Sequence, residues 1–168
     1  MSKRTKYLTH ASVIGALYVA LTYFQNFLLP NSASMAIQFR VAEALCVLAL
    51  FTPAAIPGLS VGCLLFNISF AGALPLDFLV GSLATFFATG AMWLMRKLRF
   101  GGYPLLSLLM PALFNAFLVG WELDMYIGGG FWLNALYVAI GEAAVLLTLG
   151  SFLFYAIKNR NLAHKIWD

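Results

Sequence analysis

Apolar residues along this chain come in long runs, without the polar face that a soluble amphipathic helix keeps toward water. The runs are Leu8–Leu29, about Ile37–Phe51, about Ala55–Phe70, Leu76–Met95, Leu105–Trp121 and Phe131–Ile157. Breakers and charges collect between them. Pro30-Asn31-Ser32 closes the first run, and Thr52-Pro53-Ala54-Ala55-Ile56-Pro57-Gly58 parts the second from the third with two prolines. Arg96-Lys97-Leu98-Arg99 stops the fourth, with Gly101-Gly102-Tyr103-Pro104 as the turn, and Gly128-Gly129-Gly130 parts the fifth from the sixth. The pattern predicts one integral-membrane domain over residues 1–168, an all-α membrane protein built as a six-transmembrane-helix bundle. The second and third runs are short against the ~20 residues of a full span. They are either tilted short helices or a hairpin that enters and leaves on one face.

Composition makes lipid the solvent. Of 168 residues, 62% are hydrophobic and 10% charged, with a mean hydropathy of +0.90, against about 45–50% apolar and about 25% charged in a soluble domain. Lys3, Arg4 and Lys6 precede the first run as they would in a signal peptide, but that run is longer than a signal core and more follow. It is therefore expected to be a retained first helix. The net charge of +4 forms no nucleic-acid stripe. With six crossings, every Lys and Arg except Arg40 falls on one side, which the positive-inside rule makes cytoplasmic together with both termini. The expected location is the cell (cytoplasmic) membrane.

Ionisable groups within spans are costly and are the first functional suspects. Gln38, Arg40 and Glu43 open the second run. Arg40 and Glu43, three apart, either form a local ion pair or present a guanidinium and a carboxylate to a polar ligand. Asp77 begins the fourth run, where a negative charge suits a helix N-terminus. Asn115 and Glu122, seven apart, share a face, as do Asn134 and Tyr137. Glu142 lies near mid-span, either as a packing contact or as a proton relay or ligand contact. Trp121, Tyr126, Phe131 and Trp132 form either an interfacial belt or a cap over a planar heterocycle. Leu65-Phe66-Asn67 recurs as Leu113-Phe114-Asn115, which places both asparagines toward the same half of the bilayer. Ala11 and Gly15, and Ala16 and Ala20, are small pairs spaced four apart that admit a closely packed helix, inside the bundle or from a partner.

Cys46 and Cys63 have neither zinc nor disulfide spacing and read as core residues. No P-loop, H-E-x-x-H or G-x-S-x-G occurs, so neither ATP hydrolysis by a P-loop nor metal or nucleophile catalysis has its kit. No catalytic residue, resident metal or cofactor is expected.

Several segments carry a family likeness. They are Ile37 to Leu45 with Gln38-Phe39-Arg40 and Glu43; Ala55-Ile56-Pro57-Gly58-Leu59 with Gly62-Cys63 and Asn67; Gly81 to Thr85; Leu113-Phe114-Asn115-Ala116 with Val119-Gly120 and Glu122; and Asn134-Ala135-Leu136-Tyr137 with Gly141-Glu142. In this order they resemble the QueT-type family, the queuosine-precursor S components of energy-coupling factor (ECF) transporters, over nearly the whole chain. The resemblance implies a substrate-binding subunit working with a transmembrane T component and two cytoplasmic ATPases. It implies a ligand site toward the extracellular side, a deazaguanine ligand such as queuine or a precursor base, and contact of Ala16 and Ala20 with the T component. Glu43, Glu122 and Glu142 become candidate acceptors for the guanine-like edge, Asn67 and Asn115 readers of mixed edges, and Trp132 or Tyr137 stacking partners. The Trp121–Asp124 stretch and its glycines form an outer loop able to act as a lid. A stand-alone, proton-coupled secondary transporter of a small polar metabolite is the alternative; an intramembrane enzyme and a purely structural subunit are weaker rivals.

Overall fold

The computed structural model describes residues 2–29, 39–70 and 72–160. They are overwhelmingly helical. Helix α1 spans Lys3–Leu28. A ten-residue 3₁₀ helix, Val41–Leu50, follows, then α2 (Ala55–Ser69), α3 (Asp77–Leu94), the single turn α4 (Leu105–Leu108), α5 (Met110–Tyr126) and α6 (Phe131–Val145). A π turn at Leu146–Gly150 joins α6 to α7 (Ser151–Asn159). Four stretches are long and apolar enough to cross a membrane: Lys3–Leu28, Asp77–Leu94, Leu105–Tyr126 and Phe131–Asn159. Val41–Leu50 and Ala55–Ser69 are apolar but shorter.

The pattern of burial is that of a protein dissolved in lipid. Along α1 the buried stripe is Ile14, Gly15, Tyr18, Thr22 and Gln25, partly polar, while Val13, Phe24 and Phe27 (82% exposed) face out. Water would reverse that preference. In hydrocarbon, apolar side chains lose nothing by facing the solvent, and polar groups must find partners inside.

Helix α1 packs on α2, α2 on α3, α3 on α5 and α5 on α6. The 3₁₀ helix lies among them, touching α1, α2, α3, α4, α6, the π turn and α7. Ala42 to Leu50 are all buried, as expected of a helix that is apolar all round. Its tighter winding stretches ten residues to about 20 Å, against ~15 Å as an α-helix. Entry to it is fixed by Gln25, whose Nε2 donates to Phe39 O and whose Oε1 accepts from Val41 N at 2.7 Å.

Small residues set the closest approach. An added Cβ would sit 2.8 Å from Gly58 O at Gly15, 2.6 Å from Ala11 O at Gly58, and 2.8 Å from Gly15 O at Gly62. The Ala11/Gly15 pair thus meets a Gly58-xxx-Gly62 pair inside the bundle, backbone against backbone. Pro57 falls in the first turn of α2, where its missing N–H has no intrahelical acceptor to lose.

One boundary differs from expectation. The fifth helix runs on to Tyr126, because no breaker precedes Gly128. Glu122 and Asp124 are therefore helical, not part of an outer loop. The loop itself shrinks to Ile127–Gly130, with Gly128, Gly129 and Gly130 at φ 79°, 93° and 93°, a region that disfavours other residues.

Candidate functional site

Polar side chains from six elements converge inside the bundle. The 3₁₀ helix has three residues per turn, so Arg40, Glu43 and Cys46 stack along one side. Glu43 is fully buried. It accepts from Tyr18 Oη at 2.8 Å and from Cys46 Sγ at 3.1 Å. Of the two arrangements that the Arg40–Glu43 spacing allowed, the local ion pair is not formed. Arg40 turns instead toward Gly81 of α3, within electrostatic reach of Asp77 and Glu142. The two cysteines are free and buried, as the spacing predicted.

Asn67, on α2, donates to Asp77 O at 2.9 Å and to Cys63 Sγ at 3.5 Å, tying α2 to the start of α3. Asp77 Oδ2 accepts from Leu74 N at 2.7 Å, holding the turn that leads into α3. Arg40, Asn67 and Asp77 line a narrow cleft of about 20 Å³ with Tyr18, Thr22, Phe66, Phe70 and Ala73. Phe66 and Phe70 stack at 5.1 Å between centroids and give the cleft an aromatic wall.

A second pair lies deeper. Asn115 Nδ2 donates to both carboxylate oxygens of Glu142, at 2.6 and 2.7 Å, joining α5 to α6. Both residues are fully buried, as is Glu122 one face-repeat along α5. Glu122 stands beside Asp77 and within reach of Arg40. Its oxygens meet the Asp77 carboxyl and no N–H donor, and Asn115 Oδ1 has no hydrogen-bond partner.

Geometry therefore gathers Arg40, Glu43, Asn67, Asp77, Asn115, Glu122 and Glu142 into one interior region. The remaining candidates lie apart. Trp132 is 75% exposed on the outer surface. Asn134 is occupied by the loop, donating to Gly128 O at 2.9 Å, while Asp124 Oδ1 accepts from Gly130 N. Tyr137 is half-buried on α6, and Gln38 lies outside the described residues. Tyr18, Thr22, Phe66 and Phe70 are the lining residues that the sequence did not single out. Their signal was weak, since aromatic and hydroxyl side chains are frequent in every span. Among the described residues no cluster of His, Cys, Asp and Glu is arranged to hold a metal.

On the outer face of α1, Ala16 and Ala20 are exposed. Ala16 borders an apolar groove between α1 and α2 that also includes Val19, Pro57, Val61 and Leu65.

The model of the QueT transporter family matches residues 8–159, nearly the whole chain and all the elements just described. This chain belongs to the QueT transporter family. Membership makes it a multi-pass membrane protein of transport, not an enzyme. Neither the curated proteins nor the solved structures contain a match to it.

Proposed function

We propose that this QueT-family chain is the substrate-binding S component of an ECF-type importer. It captures a deazaguanine precursor of queuosine on the extracellular side and releases it inward with a T component and two cytoplasmic ATPases. The six helical segments then cross the cell membrane with both termini cytoplasmic. The observation that carries the reading is a cluster of buried carboxyl and amide groups, partly unsatisfied, inside an otherwise apolar bundle. Such groups are expensive in a membrane and are kept where a polar ligand completes them.

The chemistry suits a deazaguanine. A guanine-like edge offers N–H donors, which carboxylates and amide oxygens accept. The Phe66–Phe70 wall provides an apolar, polarizable surface for a flat ring. Absence of a P-loop motif leaves energy to partners. The exposed Ala16 and Ala20 leave room for a T-component helix to approach α1.

The test is uptake of labelled deazaguanine into proteoliposomes. Uptake is expected only with the T component, the ATPases and ATP together. An Ala16→Leu, Ala20→Leu double variant is expected to lose uptake while binding the ligand as before. Uptake by the chain alone, driven by a pH gradient, would replace this reading with the proton-coupled transporter.

A further inference from the structure

An apolar groove follows the outer side of the α1–α2 seam, from Tyr7 to Val19 on one helix and from Pro57 to Leu65 on the other. Its volume is about 430 Å³, within the ~300–1,000 Å³ of sites that hold small molecules. The seam itself makes the groove. Gly15 and Gly58 meet backbone to backbone and carry no side chain to fill it, while Leu8, Val61 and Leu65 stand about half exposed at its sides. A crease between two helices in such close contact suits a single hydrocarbon chain better than another helix, whose diameter is about 10–12 Å. Left open, its lining would forfeit dispersion contacts. It shares Ala16, but not Ala20, with the small-residue face of α1.

Length and charge identify the occupant. Tyr7 and Val19 are twelve positions apart, about 18 Å of helix, close to half of the ~30 Å hydrocarbon core of a bilayer. Tyr7 closes the groove at its N-terminal end, where its hydroxyl donates to Pro53 O at 3.4 Å. An aromatic ring with a polar tip belongs at a membrane surface. One turn further, Arg4 continues the stripe of Leu8, Ala11 and Gly15 at spacings of three and four. Lys3 stands next to it, and both are exposed. The far end is formed by Val19 and Leu65, wholly apolar. One end is cationic and the other greasy, which complements a phospholipid with an anionic headgroup.

We infer that this groove is a lipid site: one acyl chain of an anionic phospholipid lies along the α1–α2 seam, with its phosphate at Arg4 and Lys3. Lipid tails are as apolar as the groove, so no hydrophobic force selects among them. Selection comes from the shape of the crease and from the charge at its mouth. With the proposed cytoplasmic N-terminus the lipid belongs to the inner leaflet, where anionic headgroups and juxtamembrane basic residues attract one another. The site is separate from the buried polar cluster, so its failure leaves the capture reading standing.

The experiment is native mass spectrometry of the purified chain, titrated with phosphatidylglycerol and phosphatidylcholine of identical acyl chains. Wild type is expected to hold a phosphatidylglycerol at least about fivefold more tightly than phosphatidylcholine. Lys3→Gln with Arg4→Gln is expected to bring the two lipids within about twofold, since each basic residue near a headgroup is worth about fivefold. Val61→Trp, which fills the groove, is expected to weaken both lipids at least about tenfold. If Val61→Trp fails to fold, Ser12→Leu serves, because Ser12 lines the same groove from α1. No lipid held by folded wild type, equal affinity for the two lipids, or binding unchanged by the groove-filling variant overturns the inference. Loss of T-component binding in Val61→Trp, with phosphatidylglycerol held as before, also overturns it and gives the groove to that partner.

Discussion

Glu43 and Glu142 are buried completely and supplied with donors, whereas Glu122, equally buried, faces the Asp77 carboxyl with the Arg40 guanidinium in reach. Removing a donor from a satisfied carboxyl leaves a buried acceptor short of a partner, at a cost of about 1–3 kcal/mol. Tyr18→Phe, which takes the hydroxyl from Glu43, is therefore expected to lower the thermal unfolding midpoint by several degrees in detergent. Glu122→Gln, which relieves the crowding of one carboxyl against that of Asp77, is expected to leave the midpoint unchanged or raise it. Differential scanning fluorimetry of the two variants side by side checks both. The acids were legible in the sequence, because ionisable residues inside apolar runs stand out one by one. Their partners were not. Tyr18 and Cys46 belong to types common in any span, and the turn of Arg40 away from Glu43 depends on where α3 lies, which no local spacing encodes.

Among the elements, the contact between α1 and α2 is the tightest, with glycines at both sides. Leucine at Gly58 would drive side-chain atoms into the backbone of Ala11. Gly58→Leu is expected to cost several kcal/mol by overpacking and to abolish a monodisperse peak in size-exclusion chromatography. Gly90, inside α3, has nothing within 4 Å of the place an alanine methyl would take. Gly90→Ala is expected to stabilise by about 0.5–1 kcal/mol through helix propensity alone, seen as a raised unfolding midpoint. The prolines and glycines gave most helix boundaries correctly. The fifth helix outran its expected end because Trp121 to Tyr126 contains no breaker, and polarity there mimicked a loop. The 3₁₀ winding of Val41–Leu50 had no signature: an apolar ten-residue run reads the same at either pitch, and its burial on every side decides the outcome.

For the molecule as a whole, the positive-inside bias and the proposed six crossings place Ser2 in the cytoplasm and Gly129 outside. With the buried Cys46 and Cys63 unreactive, Gly129→Cys is expected to react with a membrane-impermeant maleimide in intact cells, and Ser2→Cys only after lysis. The reverse result would invert the topology. Family, helical class and membrane residence were readable from motif order and run length, since both are properties of the chain itself. The cleft was not, because Arg40, Phe66 and Asp77 meet only once α2, α3 and the 3₁₀ helix have packed.

The central claim is that the buried polar cluster captures a deazaguanine, and equilibrium binding tests it most directly. Queuine and its deazaguanine precursors would be titrated into the purified, detergent-solubilised chain and into Asn115→Ala, with guanine and riboflavin as controls. The account predicts saturable binding of a deazaguanine by wild type, weakened at least about tenfold in Asn115→Ala and absent for riboflavin. A folded wild-type protein that binds none of the deazaguanines, or binds them unchanged after Asn115→Ala, would contradict it.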